Sequence, residues 1–171
     1  MTMHPVAVKE QLERMVCLVD TREQATARAK RRLSGIGLPI QRVALPFGDY
    51  SARCDVLDLR GAVSVERKMD LDEVARCYCQ DRPRFTREFE RAKAAGAKTY
   101  LLIENGSLDK AYTGSYRSRV TPQSLVSSMM AWLARYDCQL LFCGEELSGK
   151  VIHDILYREM KERLEALPDG P

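Results

Sequence analysis

Two short stretches carry the clearest pattern in this sequence, LPFGDY at residues 45–50 and AVSVERK at residues 62–68. The first contains a Pro-Phe-Gly turn that leads into a strand, and the second has the β-branched residues typical of another strand. Because side chains alternate between the two faces of a strand, Glu66 and Lys68 point to the same face. If the strand containing Asp49 pairs beside this one, Asp49, Glu66 and Lys68 come together.

Two carboxylates and a lysine in one place predict a particular chemistry. Carboxylates about 4 Å apart repel each other by roughly 4 kcal/mol at an effective dielectric constant of about 20, so the pair favours a cation between them. Mg²⁺ and Mn²⁺ are divalent cations that suit oxygen ligands. Lys68 beside such an ion could orient or help to deprotonate an attacking water, or stabilise charge on a phosphate, which suits phosphodiester hydrolysis. The alternative is an exposed Glu/Lys pair on a strand edge.

Length and composition indicate a single ordinary domain. The chain has 171 residues, of which 45% are hydrophobic and 30% are charged, enough for a core that is stable without disulfides or a structural metal. The net charge of +3 is not that of a strongly basic chain that coats nucleic acid, although segregated acidic and basic patches are compatible with it. We expect residues 1–14 to be a loosely held N-terminal arm or a short helix, with one domain at residues 15–167 and a tail at residues 168–171.

The sequence lacks the patterns of a membrane or secreted protein. Its longest apolar runs reach five or six residues, against the roughly 20 that span a bilayer. No apolar signal region occurs at the N-terminus, so we expect an intracellular location and cysteines in the thiol form. Cys77 and Cys79 form a CxC pair, which offers neither a redox CxxC motif nor four zinc ligands.

Apolar periodicity predicts strands and helices in alternation. Short buried strands are predicted at residues 15–19, 40–53 (two strands), 62–66, 100–104 and 139–143. Helices are predicted at residues 23–33, 70–78, 83–95, 121–136 and 147–167. The polar stretch at residues 105–120 is expected to be a mobile surface loop. This alternation argues for an α/β domain of three layers, α/β/α.

Three of the apolar runs end in a carboxylate, at Asp20, Glu66 and Glu104. Functional sites of open α/β sheets gather at the strand ends, so these carboxylates can converge on one place. For any single one of them, a helix N-cap or a solvated strand end is a sufficient alternative.

Three motifs, in order, resemble the nuclease domain of the XPF family of structure-selective DNA endonucleases: DTRE at residues 20–23, LPFGDY at residues 45–50 and VERKMDLD at residues 65–72. The resemblance extends over about residues 15–160, and its most specific element is the GD…ERKxxxD signature. It implies a restriction-endonuclease-like fold, in which a central mixed sheet lies between two helical layers.

The resemblance also implies roles for individual residues. It makes Asp49 and Glu66 ligands of Mg²⁺ or Mn²⁺, adds the Arg67 carbonyl as a further ligand, and makes Lys68 the catalytic lysine. Asp20 is expected at the same cluster, as a catalytic residue that bears on the metal. The supporting positions are Glu23, Arg22, Asp72 and Arg84.

Some of these supporting positions admit a second interpretation. Arg22 and Arg84 would contact phosphate or orient the carboxylates, and the sequence does not separate the two roles. Asp72 lies in the first turn of a predicted helix, where the helix dipole alone would explain an acidic residue. Glu88 stands where the family commonly has glutamine, and it is expected to be a surface residue of its helix.

Such nucleases usually continue into a tandem helix-hairpin-helix module that grips DNA, and this sequence ends at Pro171 without one. We therefore expect a compensating basic surface. Its candidate residues are Arg28, Lys30, Arg31 and Arg32, the loop residues Lys110, Arg117 and Arg119, and the aromatic residues Tyr112 and Tyr116. Arginine and tyrosine in a mobile loop suit phosphate contacts and base stacking, although a solvated loop has the same composition.

The sequence thus predicts a metal-dependent DNA endonuclease that prefers branched or flapped DNA and does not associate with membranes. A homodimer is expected from the family and from the apolar face of the last two helices. The alternative function is a catalytically silent DNA-binding or scaffold subunit with the same fold, as also occurs in this family. The acidic and lysine positions favour the enzyme, because a silent subunit has no need of a mutually repulsive cluster.

Overall fold

The computed structural model describes residues 2–168, so Met1 and residues 169–171, most of the predicted tail, lie outside it. Within that range the strands are β1 (Val16–Asp20), β2 (Ile40–Val43), β3 (Tyr50–Arg53), β4 (Val63–Lys68), β5 (Lys98–Glu104) and β6 (Gln139–Cys143). The helices are α1 (Pro5–Glu13), α2 (Ala27–Ile36), α3 (Leu71–Cys79), α4 (Arg82–Ala94), α5 (Leu108–Thr113), α6 (Pro122–Tyr136) and α7 (Ser148–Ala166). The strands form one sheet in the order β2-β1-β3-β4-β5-β6.

The sheet is mixed because one strand runs against the others. β1 pairs parallel with β2, and β5 pairs parallel with both β4 and β6, whereas β3 pairs antiparallel with both β1 and β4. The carboxyl ends of β1, β4 and β5 and the start of β3 therefore lie at the same edge of the sheet. This edge carries Asp20, Asp49, Glu66 and Glu104.

Helices cover both faces of the sheet. α1, α2 and α7 pack on one face, in a core that includes Tyr50 and Leu156. α3, α4, α5 and α6 pack on the other face, around Phe85 and Trp132. The predicted three-layer α/β fold with a central mixed sheet is confirmed. None of the helices within residues 2–168 is both long and apolar enough to cross a bilayer.

The N-terminal segment forms a short helix, the second of the two expectations for residues 1–14, and not a loosely held arm. α1 buries Val8 and Leu12, which are four residues apart and therefore share one helix face, in the core next to α7. Thr2 pairs with Pro168 at an isolated bridge. This segment is therefore packed into the domain rather than extending from it.

Residues 105–120 also differ from the expected mobile loop, because they contain α5. The Ser107 Oγ caps this helix by accepting a hydrogen bond from the Lys110 N–H at 3.1 Å, and Gly114 ends it with a φ of 73°. Ala111 is buried in the core on the side of α6. A helix of six residues is too short to show a helical period in the sequence, which explains the error.

α2 and α7 approach each other closely at two glycines. A Cβ atom at Gly149 would lie 2.3 Å from the Arg32 carbonyl oxygen and 2.8 Å from the Gly35 carbonyl carbon, so a side chain does not fit there. A Cβ atom at Gly35 would meet its nearest neighbour at 3.5 Å, an ordinary contact. The glycine of α7 therefore sets how close α2 lies to the domain, and with it the position of Arg32.

Candidate active site

Asp49 is held at the sheet edge by backbone hydrogen bonds to both neighbouring strands. Its N–H donates to the Val65 carbonyl oxygen of β4 at 2.9 Å, and its carbonyl oxygen accepts from the Asp20 N–H of β1 at 2.9 Å. Gly48 has a φ of +72°, and a Cβ atom there would lie 2.8 Å from the Ser64 Cβ. The turn therefore requires glycine immediately before the aspartate, which explains the Gly-Asp pair of the motif.

Asp49, Glu66 and Lys68 line a cavity of about 540 Å³ beside α3 and α4. Ligand sites commonly have volumes of roughly 300–1,000 Å³. Asp49 Oδ2 accepts a hydrogen bond from the Arg67 N–H at 2.8 Å, and Lys68 Nζ donates to Glu66 Oε1 at 2.6 Å. Lys68 Nζ also lies 5.0 Å from the centre of the Phe85 ring, a cation–π contact. The structure thus brings together the three side chains that strand alternation placed on one face.

Buried carboxylates are crowded together at this cavity, which basic side chains also line. Burial, followed by the charge of Glu66, raises the pKa of Asp49 well above its ordinary value. Burial also raises the pKa of Glu66, against the opposing charge of Lys68 and with the further charge of Glu88. Burial alone would lower the pKa of Lys68, but the carboxylates outweigh it and raise that pKa, so the lysine is protonated at neutral pH. The cavity therefore favours a cation or a proton beside its carboxylates.

The donor set suits a hard divalent cation that shares its coordination shell with a substrate. Asp49 bonds through Oδ2 and Glu66 through Oε1, which leaves Asp49 Oδ1 and Glu66 Oε2 without a hydrogen-bond partner among residues 2–168. In the same part of the chain, no group of three His, Cys, Asp or Glu side chains could hold a metal ion. Mg²⁺ does not need such a cage, since one or two carboxylates, substrate phosphates and waters suffice. Asp49 and Glu66 therefore fit Mg²⁺ or Mn²⁺.

Asp20 does not line the cavity, and its role as a catalytic and metal-binding residue stays a prediction. Its Oδ1 accepts from the Arg22 N–H at 2.8 Å and from Arg22 Nε at 2.6 Å, and its Oδ2 accepts from the Leu45 N–H at 2.8 Å. Despite burial, these bonds hold the pKa of Asp20 below its ordinary value. The carboxylate therefore ties Arg22 and the start of the LPFGDY turn to β1.

Arg22 and Glu88 form a bridge at the cavity. Arg22 Nη1 donates to Glu88 Oε1 at 2.9 Å, and both residues line the cavity, as does the exposed Arg84. Glu88 was expected to be an ordinary surface residue, yet its side chain is only 13% exposed. Its position one turn after Phe85 on α4 was the available signal, because residues three apart on a helix share a face.

Comparison with known proteins now decides the family. The model of the ERCC4 domain matches residues 19–155, most of the sequence. This chain belongs to the ERCC4 domain family.

Solved structures of the ERCC4 family share its fold. Two structures of XPF from Aeropyrum pernix, one of them a complex with DNA, each match this chain with a TM-score of 0.62 and 21% identity. The matches cover 84% and 88% of this chain, which spans only 64% and 66% of the XPF chains. No curated protein matches the sequence. The resemblance to the XPF nuclease domain is therefore confirmed at the level of family and fold.

In this ERCC4 domain, a second charge network adjoins the cavity, and two of its members, Glu23 and Arg67, also line it. Arg67 Nη1 lies 3.5 Å from Glu104 Oε2, and its Nη2 lies 3.8 Å from Glu23 Oε1. Arg32 Nε donates to Glu104 Oε1 at 3.1 Å, and Arg32 Nη1 donates to Glu23 Oε1 at 2.6 Å and to the Tyr50 hydroxyl at 3.1 Å. Glu23, a predicted supporting residue, is thus a partner of buried arginines.

This network corrects two of the predicted DNA-binding residues. The Arg32 side chain is 2% exposed and cannot reach a ligand on the surface. Arg28 Nη2 donates to Glu104 Oε2 at 2.5 Å, and Arg28 Nε lies 2.9 Å from Glu145 Oε2. Both arginines neutralise Glu104 instead of forming a basic surface. Four of the other candidates, Arg31, Lys110, Arg117 and Arg119, are exposed.

Asp72, a predicted supporting residue, also does not line the cavity. Its Oδ1 accepts from the Arg117 N–H at 2.8 Å and the Ser118 N–H at 2.6 Å, and its Oδ2 accepts from Arg117 Nε at 3.2 Å. Although burial opposes the effect, these bonds lower the pKa of Asp72. Asp72 therefore anchors the segment after α5 to the start of α3.

Proposed function

We propose that this ERCC4 domain is a metal-dependent DNA endonuclease that hydrolyses phosphodiester bonds and prefers branched or flapped DNA. The observation that carries the proposal is the meeting of Asp49, Glu66 and Lys68 in one cavity. Crowding of carboxylates with perturbed pKa values opposes folding, which fits a functional site better than a structural one. XPF from Aeropyrum pernix has been solved in complex with DNA, which supports DNA as the substrate.

The contacts of the three residues support a role for each. Asp49 Oδ1 and Glu66 Oε2 would hold Mg²⁺ or Mn²⁺, and the Arg67 carbonyl is a further candidate ligand from the resemblance alone. A bound ion supplies Lewis-acid polarisation of the phosphate and activation of a water. The Arg67 N–H orients the Asp49 carboxylate through its bond to Oδ2. Lys68 would stabilise negative charge on the phosphate, or would orient the attacking water or help to deprotonate it.

The arginines at the cavity provide phosphate contacts. Arg84 is exposed and free of ion pairs with other residues of the described range 2–168, so its guanidinium is available to a phosphate. Arg22 is committed to Asp20 and Glu88 on two of its nitrogens, yet half of its side chain is exposed. The two arginines offset the acidic cluster and would hold phosphates on either side of the scissile bond.

The test is a cleavage panel. Labelled duplex, single-stranded, flap, fork and junction DNA are incubated with the chain in Mg²⁺, in Mn²⁺ and in EDTA. We expect cleavage of the branched or flapped substrates with either metal and none in EDTA. Asp49→Asn and Lys68→Met should abolish it, while Asp154→Asn, an exposed aspartate on α7, is the matched control and should cleave like the parent.

Metal binding is measured separately by calorimetric titration with Mn²⁺. Binding by the parent and by Asp154→Asn, but not by Asp49→Asn, supports the metal site independently of cleavage. Cleavage by Asp49→Asn at the parent rate would refute the assignment of Asp49 to the catalytic metal site. Binding of DNA without cleavage of any substrate in either metal would favour the silent DNA-binding subunit. A homodimer, the remaining expectation, is tested by light scattering of the chain with and without DNA.

A further inference from the structure

A second, open groove of about 730 Å³ adjoins the cavity that Asp49, Glu66 and Lys68 line, which we call the acidic cavity. One wall is α3, with Ala75, Arg76, Cys79 and Gln80, and the other is the segment 117–120. Arg76 and Gln80 line both the groove and the cavity of Asp49, Glu66 and Lys68, so the two spaces are neighbours along α3.

The groove has an excess of positive charge. Arg76, Arg117 and Arg119 line it and are exposed, whereas its only carboxylate within residues 2–168 is Asp72. Asp72 is already occupied by two backbone N–H groups and by Arg117 Nε. Arg76 and Arg119 form no ion pair with any residue of that range, so their charges are available to a ligand.

The far wall of the groove is fixed rather than loose. Asp72 holds the backbone N–H groups of Arg117 and Ser118 at 2.8 Å and 2.6 Å, and the Tyr116 hydroxyl donates to the Val120 carbonyl oxygen at 2.8 Å. The backbone from which Arg117 and Arg119 extend is therefore set before a ligand arrives, which lowers the entropic cost of binding it.

We propose that this groove holds the DNA strand that adjoins the scissile phosphate, with backbone phosphates at Arg76, Arg117 and Arg119. The inference rests on the proposed function, because it assumes that a phosphodiester lies at Asp49, Glu66 and Lys68. Arginine side chains are the usual phosphate contacts, and the groove adjoins the cavity. On α2, Arg28 and Arg32 are committed to buried glutamates, which leaves Lys30 and Arg31 as the exposed basic residues of that helix.

The first experiment measures the affinity of the full chain for a fluorescent single-stranded oligonucleotide in EDTA, at several salt concentrations. The paired substitution Arg117→Ala and Arg119→Ala should weaken binding roughly 10- to 30-fold at about 0.1 M salt. The slope of log affinity against log salt concentration should become shallower by about 1.4, since each lost phosphate contact removes about 0.7. Both side chains are exposed, and the Asp72 bonds to the backbone remain, so the fold is retained.

Two further variants each remove one arginine charge elsewhere. Arg158→Ala, the control, lies on α7 in the opposite layer and should bind like the parent. Arg31→Ala removes the exposed arginine of α2, the competing DNA-binding candidate, and should weaken binding far less than the groove pair. A loss of affinity for Arg31→Ala that equals the loss for the groove pair would place the strand over α2 and overturn the inference.

Cys79 provides a readout of position that does not depend on activity. It is the one exposed cysteine among the six, all of which lie within the described residues, and it lines the groove. Saturating oligonucleotide should slow its alkylation by N-ethylmaleimide in proportion to the fraction of protein bound, and Cys79→Ser defines the background from Cys143. An unchanged alkylation rate at saturation would overturn the inference.

The outcomes separate this inference from the proposed function. If the groove pair binds more weakly and oligonucleotide protects Cys79, but no substrate is cleaved, the DNA site in the groove is supported and the proposed nuclease activity is refuted. If the groove pair cleaves DNA and binds it like the parent, the DNA site in the groove is refuted and the proposed nuclease activity is supported. Absence of measurable binding by the parent would overturn the groove as well.

Discussion

The contact between α2 and α7 gives a sharp prediction for Gly149→Ala. The new Cβ would lie 2.3 Å from the Arg32 carbonyl oxygen, about 1 Å closer than an ordinary contact, and both it and the Gly35 atom at 2.8 Å belong to the backbone. Neither atom can rotate away, so α2 has to move. Overpacking of this kind costs about 3 kcal/mol, and the gain in helix propensity returns about 1 kcal/mol. We expect a net loss of about 2 kcal/mol.

The assay is urea denaturation followed by the fluorescence of Trp132, the single tryptophan, which is buried in the core on the other face of the sheet. For a domain of this size the loss corresponds to a melting temperature lower by about 4–8 °C. The matched control is Gly35→Ala, on the facing helix, whose Cβ would meet nothing closer than 3.5 Å. It should equal the parent or exceed it by up to about 1 kcal/mol, because alanine favours the helix.

The two variants distinguish the close approach of α2 to α7 at Gly149 from a general effect of replacing a helical glycine by alanine. A Gly149→Ala midpoint and slope equal to those of the parent would refute the reasoning, since the helices would then separate at no cost. Equal losses for the two variants would also refute it, because only Gly149 faces backbone atoms at short distance.

Three further substitutions test the turn, the buried network and the metal site. Gly48→Ala places a Cβ 2.8 Å from the Ser64 Cβ at a positive φ, and urea denaturation should show a loss of about 2–4 kcal/mol. Glu104→Gln removes one of the two carboxylates that pair with the buried Arg32, leaving Glu23, and should cost about 3 kcal/mol at neutral pH. Although burial opposes it, the arginines hold the pKa of Glu104 below its ordinary value of 4.5, so this difference from the parent should shrink as the pH falls below 4.5. Asp49→Asn can keep the hydrogen bond from the Arg67 N–H but loses a repulsive charge, so its melting temperature in EDTA should exceed that of the parent. Mn²⁺ at ten times its Kd should stabilise only the parent, by about 1.4 kcal/mol.

Each of these expectations has a contrary result. A Gly48→Ala midpoint equal to that of the parent would show that the turn accepts a side chain. A difference between Glu104→Gln and the parent that is constant from pH 7 to pH 3 would exclude the ionised carboxylate as the stabilising group. Equal stabilisation of Asp49→Asn and the parent by Mn²⁺ would place the ion elsewhere.

The sequence allowed the sheet and the face of the cavity to be predicted because both follow from local rules. Short apolar runs mark β1, β4 and β5, and a period of two residues places Glu66 and Lys68 on one side of β4. Gly48 before Asp49 marks a backbone conformation that other residues avoid, so the turn was visible as well. These features depend on residues close together in the chain.

The errors concern charged residues whose partners are distant in the sequence. Arg28 and Arg32 lie in a run of basic residues that is typical of a solvated helix face, but Glu104, which pairs with both, is more than 70 residues away. Asp72 bonds to Arg117, 45 residues further along the chain. A propensity or a period contains no information about such partners, because they are brought together only by the packing of α2 and of the segment after α5 against the sheet.

β4 connects the acidic cavity with the buried arginine network through a single alternation of side chains. Glu66 and Lys68 point into the cavity, while Arg67 between them points towards Glu23 and Glu104, and its N–H holds Asp49. The buried arginines stabilise two glutamates that would otherwise add negative charge behind a site already crowded with carboxylates. Because α2 supplies those arginines, and the close contact with α7 determines where α2 lies, the helical layer on one face of the sheet helps to set the carboxylate geometry on the other.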